Sequence, residues 1–220
     1  SKKNNITFAE SQKDAIISAF QNGIEIITGG PGTGKTTIIK CIIEIFETCG
    51  LKVLLGAPTG RAAKRMSEST GKEATTIHRM LDMGVFEKEE SVFVTNAEEH
   101  SLEADVVIID EASMIDITLM NALLKSIKVG TRLIIVGDVD QLPSVGAGNV
   151  LNDFIESGFT KVVRLKEIFR QGKESMIVVN AHKINKGEMP KLNEKGTDFF
   201  FIRNDIQEGI LNTIIDLINT

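Results

Sequence analysis

Residues whose types and spacing could perform chemistry first appear near the N-terminus, where residues 24–37 read IEIITGGPGTGKTT. Gly29, four further residues and then Gly34-Lys35-Thr36 match the spacing G-x-x-x-x-G-K-[ST] in full. Glycines allow backbone angles that turn successive N–H groups toward phosphate oxygens, and the following helix N-terminus favours an anion. The sequence therefore predicts a phosphate-binding loop; the alternative is a glycine-rich turn that holds no nucleotide.

We expect this loop to bind the nucleotide through both its backbone and its side chains. Lys35 is placed to reach the β- and γ-phosphates, and the Thr36 hydroxyl to bind Mg²⁺. The residues expected to contact the nucleotide are consecutive in the chain: Gly30, Pro31, Gly32, Thr33, Gly34, Lys35, Thr36 and Thr37.

Two adjacent carboxylates follow a second apolar run. Residues 104–110 read ADVVIID and are followed by Glu111, so the acids end a predicted strand at the sheet edge where ligands bind. We expect Asp110 to hold Mg²⁺, directly or through water, and Glu111 to polarise the water that attacks the γ-phosphate. The alternative is that both acids only cap the following helix. The pair predicts hydrolysis of a nucleoside triphosphate.

Gln141 is a candidate sensor of the γ-phosphate. It lies in the segment GDVDQLPSVG after a further predicted strand, and in doubly wound folds this loop lies beside the carboxylate loop. The strand at 51–57 separates the phosphate loop from the carboxylate strand, an order similar to that of ATPases and dissimilar to that of GTPases. The guanine signature is also missing, since residues 185–188 read NKGE and are interpreted as a helix exit.

Alternating strands and helices position these residues. Besides the run before the phosphate loop, buried strands are predicted at 51–57, 104–110, 131–137 and 160–165. Helices are predicted at 35–48, 61–67, 116–128, 147–157 and 174–186. This alternation predicts an α/β fold with a doubly wound, mostly parallel sheet and helices on both faces.

Other segments carry weaker patterns. Thr7 and Glu10 have the spacing of a capping box, with Thr7 as N-cap of a helix that ends at Asn22-Gly23. Residues 75–80 are expected to begin a helical turn, and 85–95 to form a charged hairpin or a loop. Near the end we predict a linker, a strand and a helix, at 190–197, 198–202 and 206–218.

Composition narrows the class of protein. The 25 Lys+Arg against 30 Asp+Glu give a net charge of −5 over 220 residues, which argues against a uniformly basic nucleic-acid coat but allows local patches. No apolar run approaches a membrane span and the N-terminus lacks a signal-peptide core, so a cytoplasmic protein is expected. Cys41 and Cys49 lie about 12 Å apart on one predicted helix, too far for a disulfide, and are expected to be core thiols. The histidines form no zinc-like cluster with them.

Six segments occur in a characteristic order: GGPGTGKTT, APTGRAAKRM at 57–66, TIHRML at 76–81, DEASM at 110–114, GDVDQLPSVGAG at 137–148 and LKEIFRQ at 165–171. Together they resemble the motif series of superfamily 1B DNA helicases of the RecD type, the family of the exodeoxyribonuclease V alpha subunit. The resemblance spans residues from about 7 to 171. It implies a RecA-like P-loop NTPase domain that uses ATP and Mg²⁺ to move 5′ to 3′ along single-stranded DNA, in DNA repair and recombination.

The resemblance also implies two further nucleotide contacts. Gln12, with Ala15, is similar to the family's Q motif and would contact adenine; the alternative is a solvated helix glutamine. Arg170 is similar to the family arginine that reaches the γ-phosphate, where a fixed guanidinium suits the spread negative charge of the transition state. Its alternative is a surface ion pair.

A DNA-contacting face is implied as well. Residues 57–80 hold five basic and two acidic side chains, a local charge of +3 that phosphate contact needs, although a solvated helix face is the alternative. The chain has no Trp or Tyr, so stacking on bases would rely on His78, a phenylalanine or apolar groups. The implied DNA-binding residues are Pro58, Thr59, Arg61, Lys64, Thr76, His78, Pro143 and Val145.

The family closes ATP between two RecA-like domains, so we interpret 1–190 as the first motor domain and 191–220 as a linker and the start of a second, truncated one. The first residue is Ser rather than Met, which suggests a processed chain or a fragment. The family's pin would fall near 85–100, where it is short, and this puts strand splitting in question. Implied partners are single-stranded DNA, the missing second domain and other recombination or nuclease subunits, with no membrane.

The sequence leaves two other functions open. The chain could be a nucleotide-gated DNA- or protein-binding subunit of a recombination complex without autonomous unwinding, although Glu111 argues against this. A phosphotransferase kinase is disfavoured, because Glu111 suits water activation and no lid with clustered arginines is evident.

Overall fold

The computed structural model describes residues 8–81, 101–167, 175–192, 194, 197–204 and 206–218. The predicted pin region at 85–100, Thr7 and Arg170 lie outside the described residues. The chain divides into two compact units, 1–169 and 170–220, and each is described by itself. The predicted domain boundary near residue 190 stays a prediction.

The first unit is built on one sheet of six parallel strands. The strands are β1 Ile24–Thr28, β2 Val53–Ala57, β3 Ala74–Thr76, β4 Val106–Ile109, β5 Arg132–Gly137 and β6 Lys161–Arg164. The strand order is β3-β2-β4-β5-β1-β6, so the first strand of the chain lies between the fifth and the sixth. In this register Ile26 lies opposite Ile135 on one side and Val162 on the other.

Helices cover both faces of this sheet, because successive side chains of a strand point to opposite faces and both sets are apolar. The helices are α1 Glu10–Gln21, α2 Lys35–Thr48, α3 Gly60–Thr70, α4 Ile77–Met80, α5 Ile117–Ser126 and α6 Val150–Ser157, with a 3-10 turn at Ala112–Met114. Ile27, Ile108 and Ile134 belong to the core beneath α1, α2 and α3, whereas Ile26 and Ile109 belong to the core beneath α4, α5 and α6. The predicted doubly wound α/β fold is confirmed.

Two local predictions in this unit are wrong. The helical turn expected to begin at Thr75 begins at Ile77, because Ala74–Thr76 pairs with β2 as a short strand. Helix α1 begins at Glu10 with Ala9 at the N-cap position, so Thr7 is not its cap.

The cysteine prediction is half wrong. Both thiols are free, and Cys41 is partly buried, but Cys49 is exposed rather than in the core. The reason is that α2 ends at Thr48, and the chain turns away at Gly50, whose φ is 77°.

The second unit contains α7 Met176–Asn185 and α8 Gln207–Ile218. The predicted strand at 198–202 is wrong. The Asp198 carboxylate accepts hydrogen bonds from the backbone N–H of Met176 at 2.6 Å and of Ile177 at 3.2 Å, and from the Ser175 hydroxyl at 2.5 Å. Asp198 therefore accepts the first N–H groups of α7, whose N-cap is Ser175. The apolar residues after Asp198 pair with no strand within the described part of the chain. In the described ranges, no helix has the length and apolar character needed to cross a membrane.

Candidate nucleotide site at the carboxyl edge of the sheet

Four of the sequence motifs meet at one edge of the sheet. Because the six strands are parallel, the loops that follow them leave from the same side. Across the sheet, the loops after β2, β4, β5 and β1 carry Thr59, Asp110 with Glu111, Gln141 and the phosphate loop in that order. The strand order thus brings together residues that lie up to about a hundred positions apart in the chain.

The phosphate loop has the backbone that its glycines predict. Gly32 has φ 76° and Gly34, the N-cap of α2, has φ 82°, values that residues with a Cβ rarely adopt. At Gly29 a Cβ would lie 2.9 Å from the Leu165 Cβ, so no larger residue fits there without movement. The buried Thr33 closes the loop, since its hydroxyl donates to the Gly30 carbonyl at 2.8 Å.

Lys35 lies against the backbone of the same loop. Its Nζ donates to the carbonyl oxygen of Gly29 at 2.5 Å and of Gly30 at 3.2 Å. The ammonium charge is thereby held beside the N–H groups expected to receive phosphate oxygens. Thr36 and Thr37 follow on the first turn of α2 and are exposed, as is Pro31 at the tip of the loop.

Gln12 connects α1 to the phosphate loop. Its side chain is only 2% exposed; its Oε1 accepts from the Ala9 N–H and its Nε2 donates to the Thr33 carbonyl, both at 3.2 Å. The alternative of a solvated helix glutamine is therefore wrong. The predicted contact of Gln12 with adenine stays a prediction.

Asp110 directly follows β4 and has a partly buried carboxyl group. Burial raises the pKa of its carboxyl, and the neighbouring Glu111 charge adds to that rise. One oxygen, Oδ1, accepts from the Glu111 N–H at 2.9 Å. A partly buried carboxylate together with the Thr36 hydroxyl is a donor set that fits Mg²⁺, which takes few protein ligands and completes its shell with phosphate oxygens and water.

Glu111 has an unusual backbone. Among the described residues it alone combines a side chain with a positive φ, at φ 54° and ψ 40°, a conformation that costs about 1–2 kcal/mol. Within the described structure its side chain makes no capping hydrogen bond, and α5 is capped instead by Asp116, whose Oδ1 accepts from the Leu119 N–H at 2.8 Å. The capping alternative is thus unsupported for Glu111. Its Oε1 lies 3.7 Å from Nη1 of Arg65 on α3.

The loop after β5 is tied to both neighbouring loops. The exposed Gln141 accepts, through Oε1, a hydrogen bond from the Ser113 hydroxyl at 3.4 Å. The Val139 N–H donates to the Thr28 hydroxyl at 3.2 Å, and this connects the loop to the end of β1. Sequence reasoning missed Ser113 and Thr28 as supporting residues, although Ser113 lies inside the DEASM segment.

The predicted DNA-side residues also lie at this edge, and two of them have local structural roles. Thr59 and Thr76 are the N-caps of α3 and α4, with hydroxyls that accept from the Ala62 and Arg79 N–H groups, both at 3.2 Å. Pro58 is partly buried, and the remaining members of the set are exposed: Arg61, Lys64, His78, Pro143 and Val145. Leu142 was missed and is 87% exposed beside them. The Nζ of Lys64 lies 3.9 Å from Oε1 of Glu68, and both side chains are exposed. The alternative of a solvated helix face therefore stays open for Lys64.

Several known proteins are similar to this chain in sequence or in fold. Residues 12–147 match the family model described as AAA domain. Over 204 residues the chain is 36% identical to the ATP-dependent RecD2 DNA helicase of Deinococcus radiodurans, covering 93% of this chain and 27% of that protein. Over 187 residues it is 37% identical to the RecBCD enzyme subunit RecD of Mycolicibacterium smegmatis, covering 74% of this chain and 33% of that protein.

The fold is similar to that of a Bacteroides Pif1 bound to ssDNA, with a TM-score of 0.56 at 18% identity, over 96% of this chain and 56% of that one. At this identity the likeness concerns the fold alone. The chain spans about a quarter to a third of the length of the two curated relatives. Since the matched family model covers more than half of the 220 residues, the chain belongs to the AAA domain family, and the predicted kinship with RecD-type helicases is confirmed.

Proposed function

We propose that this chain is the ATP-binding motor domain of a DNA helicase, which hydrolyses ATP to move 5′ to 3′ along single-stranded DNA in repair and recombination. The observation that carries the proposal is the arrangement along one sheet edge. The phosphate loop, the Asp110-Glu111 pair and Gln141 lie on neighbouring loops, and the basic helix α3 begins on the next loop across the sheet.

Each part of this edge has a role in hydrolysis. The loop N–H groups and the Lys35 ammonium neutralise the β- and γ-phosphates, while Gln141 donates to the γ-phosphate. Thr36 and Asp110 would hold Mg²⁺, which offsets charge on the phosphate oxygens when bound. Glu111 takes the proton of the attacking water. Arg170 would add a second positive charge at the γ-phosphate.

Gln12 would bind adenine while it holds the phosphate loop. Both of its amide atoms already bond to the backbone, one at the start of α1 and one at Thr33. The amide nitrogen keeps its second N–H and the amide oxygen its second lone pair, so the same amide that holds Thr33 can also bond to adenine. Gln12 would in this way connect bound adenine directly to Thr33 of the phosphate loop.

The partners follow from the same reasoning. Single-stranded DNA is supported by the basic segment at 57–80, by the exposed apolar residues Pro143 and Val145, and by the fold shared with a Pif1 bound to ssDNA. A second RecA-like domain would complete the ATP site. Other recombination or nuclease subunits are proposed because one relative is named as a RecBCD subunit. The cytoplasm is the proposed location.

The test is ATP hydrolysis by the complete natural protein that contains this chain, with and without single-stranded DNA. We expect the strand to stimulate hydrolysis, whereas the 220-residue chain alone should bind nucleotide and turn over slowly. Equal rates of the complete protein with and without DNA would rule out the motor. Phosphate transferred to a small molecule instead of water would favour a kinase.

A further inference from the structure

One basic side chain of α3 reaches the residue assigned to water activation. The guanidinium Nη1 of Arg65 lies 3.7 Å from Oε1 of Glu111, with the arginine side chain 80% exposed and the glutamate side chain 24% exposed. Arg65 lies one helical turn after Arg61 and next to Lys64, on the helix predicted to follow the DNA backbone. The ion pair thus links the DNA side of the edge to the hydrolytic carboxylate.

The strand order shows on which side of Glu111 the Arg65 guanidinium lies. Glu111 follows β4, α3 follows β2 on one side of β4, and the phosphate loop follows β1 on the other side, beyond β5. An interaction with Arg65 therefore draws the carboxylate toward α3 and away from the phosphate loop. The backbone of Glu111 is held by its N–H bond to Asp110, so a change of partner needs only a new side-chain rotamer.

The strength of the pair suits an exchange of partners. An ion pair this exposed is worth at most about 1 kcal/mol, which corresponds to about a fivefold bias between two arrangements. A guanidinium binds a phosphate with two parallel charge-assisted hydrogen bonds, and this is the stronger interaction. A DNA phosphate near α3 can therefore take Arg65 from Glu111.

We propose that Arg65 is a positioning residue that couples the DNA strand to hydrolysis. Without DNA it holds the Glu111 carboxylate toward α3; on the strand it moves to a backbone phosphate and leaves Glu111 to orient toward the attacking water. This inference rests on the proposed function, since it assigns the device by which DNA stimulates that ATP site.

The experiment compares steady-state ATP hydrolysis of the complete natural protein with and without saturating oligo-dT. Arg65→Ala is expected to raise the DNA-free kcat about two- to fivefold with little change in KM for ATP, and to reduce the stimulation ratio by the same factor. Arg65→Lys keeps a positive charge without the planar guanidinium, so its DNA-free kcat and its stimulation ratio should lie between those of the wild type and of Arg65→Ala. Lys128→Ala, which breaks an exposed ion pair with Glu103 far from this edge, is the matched control and should change neither rate.

Three results would overturn the coupling. The first is that Arg65→Ala has the same DNA-free kcat and the same stimulation ratio as the wild type. The second is an equal loss of both rates, which would make Arg65 a support for Glu111 in both states. The third is weaker DNA binding with unchanged rates, which would make it a phosphate contact only. If the wild-type protein shows no stimulation by oligo-dT, the proposed function itself fails; stimulation in the wild type with any of the three results removes only the role of Arg65.

Discussion

The Ser113 hydroxyl donates a hydrogen bond to Oε1 of Gln141 at 3.4 Å, across 28 positions of the chain. Ser113 is buried in the turn after β4, whereas Gln141 is exposed in the loop after β5. Because the amide oxygen is the acceptor, the amide nitrogen remains as the donor for a γ-phosphate. Gly137 allows the two loops to approach, since a Cβ there would lie 3.3 Å from the Ser113 backbone nitrogen.

Removing this hydroxyl should slow hydrolysis without weakening ATP binding. A hydrogen bond between neutral groups contributes about 0.5–1.5 kcal/mol, so Ser113→Ala is expected to lower kcat about two- to tenfold in the complete protein, at unchanged KM. Ser113→Thr keeps the hydroxyl and should recover most of the rate. If the alanine and threonine variants behave alike, the hydroxyl does not position Gln141.

Glu111→Gln separates hydrolysis from binding. The amide keeps the shape of the side chain but cannot take a proton from water, so we expect kcat to fall by about 10²-fold or more. Binding of a fluorescent ATP analogue should remain close to that of the wild type, because the phosphate loop is untouched. A variant that hydrolyses ATP normally would exclude Glu111 as the base, whereas a variant that loses hydrolysis but keeps the function of the protein would favour a nucleotide-gated binding subunit.

The glycine conformations of the phosphate loop can be tested with a matched pair. Gly34 and Gly50 have φ values of 82° and 77°, one at each end of α2, so alanine at either position should destabilise the chain by about 1–2 kcal/mol. Only Gly34→Ala is expected to abolish nucleotide binding as well, because Gly50 is remote from the loop. Thermal unfolding and a nucleotide titration of both variants check this; equal loss of binding would show a general folding defect.

Glu25 makes the stability of the chain depend on pH. The carboxyl is 1% exposed in β1, its Oε1 accepts from the Ser18 hydroxyl, and its Oε2 has no partner within the described residues. Burial raises its pKa from 4.5 to about 7. The unfolded chain releases this proton first, so the contribution of Glu25 to stability falls as the pH rises from 4.5 to 7 and stays low above it.

Glu25→Gln should therefore stabilise the protein above pH 7. The amide cannot ionise, and the gain at pH 8 is on the order of 2–3 kcal/mol, seen as a higher Tm, with little difference from the wild type near pH 4.5. Glu156→Gln, on the exposed side of α6, is the control and should change Tm little at either pH. A gain for Glu25→Gln that is the same at both pH values would contradict the role of ionisation.

The sequence alone determined the elements that depend on neighbouring residues. The phosphate loop follows from glycines at fixed spacing, because positive φ angles are a local requirement, and the five longer strands follow from short, mainly apolar runs that a covered parallel sheet buries. Parallel strands also place their following loops at one edge. The sequence alone therefore predicts that the phosphate loop and the carboxylate loop lie at the same edge of the sheet.

The tertiary structure decided what depends on pairing between distant residues. Ala74–Thr76 is too short to show a strand period and is a strand only because β2 lies beside it. The apolar run after Asp198 pairs with no strand within the described residues and is not a strand. Likewise, the ion pair of Arg65 with Glu111 spans 46 positions, and its direction depends on the strand order. No local pattern encodes such contacts, since they arise only when the sheet sets which loops are neighbours.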